Sequence, residues 1–105
     1  MMPVNELAVD SVPACQGLYV FFDRCSQRAL YVGEAGNLRK RIGKHLEHSD
    51  NRALARWLWD QGTGEVWIEY HVLGPSLDVR ARRALETELI ESRKPEFNIR
   101  GRRSR

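Results

Sequence analysis

Apolar positions mark three short strands along this chain. Residues 18–22 (LYVFF) and 29–33 (ALYVG) are rich in β-branched and aromatic residues, and the polar stretch 23–28 separates them. This arrangement predicts a β-hairpin whose loop is longer than two residues. From Val66 to Val72, every second side chain is apolar or aromatic, which predicts a third strand.

Helical spacing of apolar residues appears in three other segments. Residues 38–46 carry apolar side chains at the spacing of one helix face, and Asn37 is placed to act as the N-cap. Residues 51–59 predict a second helix, and residues 77–93 predict a long helix that ends before Pro95.

The element order β-β-α-α-β-α, after an irregular lead-in at residues 1–16, predicts an α+β fold. We expect a small three-stranded antiparallel sheet flanked by helices. The length of 105 residues suits one domain. We therefore expect a single domain over residues 1–105, with its core at 15–99 and a basic tail at 100–105.

Composition excludes several classes of protein. The chain is 42% hydrophobic and 30% charged, which is typical of a globular domain. It has no apolar run long enough to cross a bilayer, and its N-terminus does not resemble a signal peptide. We expect a cytoplasmic location.

Cys15 and Cys25 flank the first strand, which would hold them roughly 20 Å apart. That is too far for a disulfide, so free thiols are expected, and two cysteines alone do not make a zinc site.

The charge of the chain is modestly basic, with a net charge of +3. A balance of this size fits nucleic-acid binding without requiring it. The cationic residues fall in two clusters, one within the first predicted helix and one in the tail: Arg39, Lys40, Arg41 and Lys44, then Arg100, Arg102, Arg103 and Arg105. Each cluster is either a contact for DNA phosphates or an ordinary solvated surface.

Polar residues also fall on the inward faces of two predicted helices. His45 lies inside the apolar arc of the first helix and Arg41 lies at its edge. The alternative to a functional role is an ion pair and a satisfied core histidine. On the last helix, Glu86 and Arg82 project from the apolar face, where the alternative is a simple i, i+4 ion pair.

That apolar face of the last helix is expected to comprise Val79, Leu85, Leu89 and Ile90. The opposite side is expected to be exposed to solvent, and it carries Arg80, Arg83, Glu88 and Glu91.

Two tyrosines in the hairpin complete the set of candidates. If the turn is centred near Cys25, Tyr19 and Tyr31 lie directly opposite each other on one face, whereas a one-residue slip would separate them. Plain strand packing is the alternative. Two phenols, a guanidinium, an imidazole and an acid are together the parts of a phosphodiester-cleaving site.

The same residues resemble the motifs of the GIY-YIG nucleases. Residues 17–19 (GLY) and 31–33 (YVG) are similar to the two strands that give that family its name. The arginine and histidine of residues 37–45, and the glutamate helix followed by P-x-F-N at 95–98, resemble the rest of the family pattern in order and spacing.

The resemblance implies hydrolysis of a DNA phosphodiester with one divalent cation, Mg²⁺ or Mn²⁺. It implies that Glu86 is the metal ligand and that Arg41 holds the scissile phosphate. Tyr19 and Tyr31 would position the attacking water, and one of them would be the base, for which we expect Tyr19.

Further roles follow from the same resemblance. His45 would hydrogen-bond a tyrosine or the phosphate, and Gly17, Gly33 and Asn98 would support the site. From their charge and placement, and not from the resemblance, Arg39, Lys40, Lys44 and the arginine tail are candidates for contacts to the DNA backbone. Trp57 and Trp59, on the second predicted helix, are expected to serve as core or partner contacts rather than as base-stacking platforms.

One residue departs from the family pattern. Many members have a small or basic residue after the second motif glycine, where this chain has Glu34. Its carboxylate could weaken DNA binding, add a second metal ligand or point to solvent, and we expect the last.

Specificity would have to come from DNA structure, a partner protein or dimerisation, and the oligomeric state is open. The expected function is a structure-directed or low-specificity endonuclease that acts on DNA in repair or recombination. A DNA-binding or recruitment module that cleaves little is the main alternative, and a phosphodiesterase acting on RNA or another phosphate ester is a third.

Overall fold

The computed structural model describes residues 2–3, 7–48 and 66–96. Within them the elements follow in the order β1 (Met2–Pro3), a 3₁₀ turn (Val9–Ser11), β2 (Gly17–Asp23), β3 (Ala29–Ala35), α1 (Leu38–His48), β4 (Val66–Val72) and α2 (Val79–Arg93). The predicted hairpin, third strand, first helix and last helix are confirmed. The helix predicted over residues 51–59, with Trp57 and Trp59, and the basic tail at 100–105 lie outside the described residues.

The sheet has the strand order β1-β4-β2-β3, and every neighbouring pair is antiparallel. The three-stranded antiparallel sheet expected from sequence is therefore present, with β2 at its centre. The prediction of an irregular lead-in is wrong at β1, because Met2 pairs with Ile68 and Pro3 with Trp67 along the outer edge of β4. An edge strand tolerates proline, which lacks a backbone donor.

Strand β2 is buried on both faces because a helix covers each side of the sheet. On one face, Tyr19 and Phe21 pack in a cluster with Leu38 and Ile42 of α1. On the other face, a cluster that includes Val20 packs against residues of α2. Burial of apolar surface from both sides, at roughly 25 cal/mol per Å², anchors this strand and fixes which residues face each helix.

The helix ends match local capping chemistry. Asn37 is the predicted N-cap of α1, and its Oδ1 accepts a hydrogen bond from the amide of Lys40 at 3.1 Å. Helix α2 begins two residues later than predicted, because Asp78 caps it by accepting from the amide of Ala81 at 2.8 Å. It ends at Arg93, and Lys94 follows in the left-handed region at φ 47°, before Pro95.

The inward face of α2 is shorter than the sequence predicts. Val79, expected on that face, is 48% exposed, because it is the first residue of the helix and lies outside both apolar clusters. Only Leu89 and Ile90 of this helix pack against the sheet cluster. The four charged residues expected on the outer side (Arg80, Arg83, Glu88 and Glu91) are all exposed, as predicted.

Both cysteines, Cys15 and Cys25, are free and exposed, as the sequence predicts. Neither described helix is long and apolar enough to cross a membrane.

Candidate active site

The two motif tyrosines lie on the same face of the hairpin, but not directly opposite each other. Tyr19 pairs with Gly33, and Tyr31 pairs with Phe21, so the pairing is centred on Ser26 rather than on Cys25. Because a shift of two residues preserves the face, the phenol rings remain neighbours along the diagonal, with centroids 6.2 Å apart. The prediction of a direct pair is wrong, whereas the prediction of a shared face is confirmed.

The two motif glycines make room for neighbouring groups. A Cβ at position 33 would lie 2.3 Å from Cζ and 2.4 Å from the hydroxyl oxygen of Tyr19, which is far inside van der Waals contact. A Cβ at position 17 would lie 2.2 Å from the carbonyl oxygen of His71 and 2.6 Å from a methyl group of Leu38. Gly33 thus lets the Tyr19 phenol cross β3, and Gly17 lets α1 and β4 approach β2.

Helix α1 brings Arg41 and His45 to the same phenol. His45, only 2% exposed, places Nε2 2.9 Å from the hydroxyl oxygen of Tyr19. One turn earlier, Arg41 donates from Nε to that oxygen at 3.4 Å. The His45 ring also contacts Tyr31, with centroids 5.3 Å apart. The inward positions predicted from helical spacing are confirmed, and both residues converge on Tyr19.

The electrostatic surroundings keep Tyr19 protonated. Burial is the largest effect and raises the pKa of its phenol far above the usual range, and Tyr31 and Glu86 raise that pKa further. The hydrogen bond and the positive charge of Arg41 lower the pKa, but they do not offset the desolvation. Arg41 alone therefore does not turn Tyr19 into a standing phenolate.

Glu86 lies half-buried on α2, and its charge is close enough to act on Tyr19. Two helices and two strands thus bring one carboxylate, two phenols, one guanidinium and one imidazole to a single region. Among the described residues, no group of three or more His, Cys, Asp and Glu side chains could hold a metal ion. The region therefore offers one carboxylate rather than a protein cage.

A model of the UvrC-like GIY-YIG domain family matches residues 15–99 of this chain. The chain belongs to that family. The match spans most of the chain and includes both tyrosines, Arg41, His45 and Glu86.

Curated relatives of this GIY-YIG domain are much longer proteins. UvrABC system protein C of Aquifex aeolicus (strain VF5) is 30% identical over 98 residues, which are 90% of this chain and 15% of that protein. Excinuclease cho of Salmonella typhi is 33% identical over 98 residues, which are 92% of this chain and 30% of that protein. The chain thus spans less than a third of either relative.

A solved structure shares the fold. It is the magnesium-bound GIY-YIG N-terminal endonuclease domain of UvrC from Thermotoga maritima, with a TM-score of 0.65 and 22% identity. The likeness covers 87% of this chain and 91% of that domain. It confirms the α+β class and the helix-flanked antiparallel sheet predicted from sequence.

Glu34 does not point to solvent, which corrects the expectation from sequence. Its side chain is 19% exposed and pairs with Nε of Arg82, whose side chain is 13% exposed. Nη1 of Arg82 also donates to Oε1 of Gln16 at 2.9 Å. Arg82 therefore contacts two residues far away in sequence.

A cationic groove adjoins the candidate site. It has a volume of about 710 Å³ and is lined by five cationic side chains, those of Arg39, Lys40, Arg41, Lys44 and Arg82, together with the acidic Glu34. Arg41 both lines the groove and contacts Tyr19, so the two regions are continuous.

One residue predicted to support this site, Asn98, lies outside the described residues. Two contacts of Arg82, with Gln16 and with Glu34, were not predicted from the sequence. Gln16 and Glu34 lie 66 and 48 positions from Arg82, and no local pattern connects residues so far apart.

Proposed function

We propose that this GIY-YIG domain is a divalent-metal-dependent endonuclease that hydrolyses phosphodiester bonds of DNA. The observation that carries the proposal is the convergence of Arg41 and His45 on the buried Tyr19 hydroxyl, within electrostatic reach of Glu86. The names of the relatives, an excinuclease and a component of the UvrABC system, support an action on DNA in repair.

Glu86 would hold the metal ion. A single half-buried carboxylate suits Mg²⁺, which keeps several of its own waters and is commonly bound through one or two carboxylates, and Mn²⁺ accepts similar oxygen ligands. When bound, the cation would stabilise the charge that develops on the phosphate and lower the pKa of a bound water. The neighbour from Thermotoga maritima is described as bound to magnesium as its catalytic cation, which supports this choice.

Arg41 would hold the scissile phosphate. A guanidinium carries several N–H donors in one plane and pairs well with phosphate oxygens. Because Nε is directed at Tyr19, the orientation of the guanidinium plane is set before DNA binds. Such preorganised donors stabilise transition-state charge more than mobile ones do.

Tyr19 and His45 would together remove a proton from the attacking water. As the water gives its proton to the Tyr19 oxygen, the Tyr19 proton passes to Nε2 of His45, and the resulting hydroxide attacks phosphorus. The P–O bond to the leaving oxygen breaks, and that oxygen takes a proton from solvent. This relay needs no phenolate in the resting site, which agrees with the raised pKa of Tyr19, and Tyr31 would orient the water.

The cationic groove would seat the DNA backbone. Lys40 and Lys44, both exposed and one helical turn apart, are its natural phosphate contacts. The first amides of α1 are occupied, since those of residues 38 and 39 donate to the carbonyls of Cys15 and Pro13. The side chains therefore carry the contacts.

Arg39 also makes a contact within the protein, because its Nε donates to the carbonyl of Val12 at 2.8 Å.

Contacts from the side chains of this groove to DNA phosphates would position DNA without reading its sequence. We therefore propose cleavage that is structure-directed or of low specificity, with a protein partner as a possible source of targeting. Asn98 stays a predicted support of the site.

Nicking of supercoiled plasmid with Mg²⁺ or Mn²⁺ tests the proposed function. We expect the natural chain to nick and the Glu86→Gln variant to lose at least a hundredfold in rate while still binding DNA. Glu88→Gln is the matched control, because Glu88 lies exposed on the same helix, and it should nick normally. Equal nicking by natural chain and Glu86→Gln would contradict the role of Glu86. No nicking of plasmid or branched DNA by the natural chain would favour a binding module instead.

A further inference from the structure

We propose that Arg82 is a positioning residue for the metal site, because it fixes the half of α2 that presents Glu86. The proposal rests on the proposed role of Glu86 as metal ligand. It assigns no contact between Arg82 and the metal, and the effect is transmitted through the helix.

The contacts of Arg82 connect α2 to three separate segments. Its guanidinium pairs with Glu34 at the end of β3 and donates to Gln16 just before β2. Gln16 in turn donates from Nε2 to the carbonyls of Gly74 at 2.6 Å and Leu77 at 2.8 Å, both in the loop that leads into α2. One side chain thus joins the start of this helix to both strands that carry the motif tyrosines.

Apolar packing holds α2 on the sheet only after Glu86, so it does not fix the first part of the helix. None of the 15 residues of α2, all within the described part of the chain, is fully buried. The residues of this helix that pack on the sheet cluster are Leu89 and Ile90, both after Glu86. Val79, at the start of the helix, is 48% exposed. Glu86 therefore lies between an apolar attachment on its C-terminal side and a polar attachment on its N-terminal side.

The polar attachment is shielded from solvent and lies against the turn before α1. Both side chains of the Arg82–Glu34 pair are mostly shielded from water, and a half-buried charge that loses its partner is costly. In addition, the guanidinium lies over the turn before α1, where a Cβ at Gly36 would be at ordinary contact distance, 3.6 Å, from Nη1 of Arg82. Loss of Arg82 would release the first two turns of α2, and Glu86 would move with them.

Binding of Mn²⁺, measured by electron paramagnetic resonance, tests this role without relying on activity. We expect Arg82→Ala to weaken Mn²⁺ binding about tenfold, in the range found when residues that orient metal ligands are removed, and Arg82→Lys to weaken it less. Removal of a cation would by itself strengthen the binding of a divalent cation at Glu86. A weakening therefore reports a change of position rather than of charge.

Arg80→Ala is the matched control, because Arg80 is exposed on the first turn of the same helix and its loss changes the net charge equally. It should bind Mn²⁺ at least as tightly as the natural chain. The exchanged pair Glu34→Arg with Arg82→Glu should recover part of the affinity lost in either single variant. Circular dichroism establishes that each variant is folded. If Arg82→Ala does not fold, Glu34→Gln replaces it, and Glu88→Gln, which loses the same charge at an exposed position of α2, is then the matched control.

The outcomes separate this proposal from the proposed function. If Glu86→Gln loses Mn²⁺ binding but folded Arg82→Ala and Glu34→Gln stay within twofold of the natural chain, the role of Arg82 is overturned and that of Glu86 stands. If the natural chain binds Mn²⁺ no better than Glu86→Gln, the assignment of Glu86 as ligand fails, and the role of Arg82 fails with it.

Discussion

The hydroxyl oxygen of Tyr19 and Nε2 of His45 lie 2.9 Å apart in a buried position, although 26 residues separate them in sequence. Arginine has no acceptor, so Tyr19 must accept the hydrogen bond from Arg41. In the relay proposed above, the Tyr19 proton is directed to Nε2 of His45, which requires the neutral tautomer with hydrogen on Nδ1. This pair is the structural basis for the proposed proton relay.

Tyr19→Phe and His45→Gln should lower the nicking rate by similar factors, about a hundredfold or more, which is typical of lost acid–base catalysis. Because both act in the same relay, the double variant should be little worse than either single variant. Single-turnover nicking rates at saturating metal measure this. Multiplicative losses would show that the two residues act independently and would contradict the relay.

Stability should also respond to the loss of the Tyr19 hydroxyl. Its removal leaves the buried His45 and the half-buried Arg41 without this contact, at a cost of about 1–3 kcal/mol. Urea denaturation of Tyr19→Phe measures the cost, and an unchanged midpoint would show that the hydrogen bond to His45 contributes little to folding.

The protonation state of Tyr19 can be observed directly. Because burial holds its pKa far above the usual value, the tyrosinate absorbance that develops between pH 9 and about pH 11 should be the same in the folded natural chain and in Tyr19→Phe. After unfolding in guanidinium chloride, Tyr19→Phe should lose one of the three phenols of the chain. A loss of the same size in the folded protein would contradict the buried, neutral phenol.

The raised pKa of Tyr19 also makes the stability of the domain depend on pH. The pKa of Tyr19 is higher in the folded than in the unfolded chain, so folding favours the protonated phenol. This contribution is complete below about pH 10, the unfolded value, and is lost as the pH rises toward the folded value. Stability measured by urea denaturation should therefore fall more steeply above pH 10 in the natural chain than in Tyr19→Phe.

Gly33→Ala should both destabilise the domain and impair cleavage. The added Cβ would lie 2.3 Å from the Tyr19 ring, so the ring or β3 must move, at roughly 1–3 kcal/mol for an overpacked site. Gly74→Ala is the matched control, since a Cβ there meets nothing within 4 Å. Thermal melting and plasmid nicking measure both effects. Equal behaviour of the two variants would show that the close approach of Tyr19 to β3 is not needed.

The sequence predicts those parts of the fold that depend on local spacing. Strand β4, the cap at Asn37 and the inward placement of His45 follow from periods of two and 3.6 residues and from capping chemistry. The register of the hairpin depends on where its turn is centred, which a loop longer than two residues leaves open. The shared face of Tyr19 and Tyr31 could therefore be predicted, but their exact pairing could not.

Contacts that depend on the assembled fold could not be predicted. Strand β1 has two residues, too few to show any period. The ion pair of Glu34 with Arg82 joins residues 48 positions apart and exists only because α2 returns alongside β3. Nothing in the local sequence connects Glu34 to Arg82, so Glu34 was wrongly expected to face solvent.

If DNA binds in the cationic groove, the salt dependence of its affinity should change when lysines of the groove are removed. If Lys40 and Lys44 each neutralise one phosphate of duplex DNA, the double variant Lys40→Ala, Lys44→Ala should bind more weakly at low salt. Its slope of log K against log salt should be shallower by about 1.8, because each phosphate contact contributes about 0.9. Fluorescence anisotropy with a labelled duplex, over a range of KCl concentrations and without divalent metal, measures this slope.

A matched control removes the same charge elsewhere. Arg24 and Arg28 lie exposed in the loop between β2 and β3, at the opposite end of the hairpin from the start of α1. Their double replacement by alanine lowers the net charge equally but should leave the salt slope unchanged. Equal loss of slope in both double variants would mean that DNA responds to the overall charge of the domain, and the groove beside Arg41 would not be its binding surface.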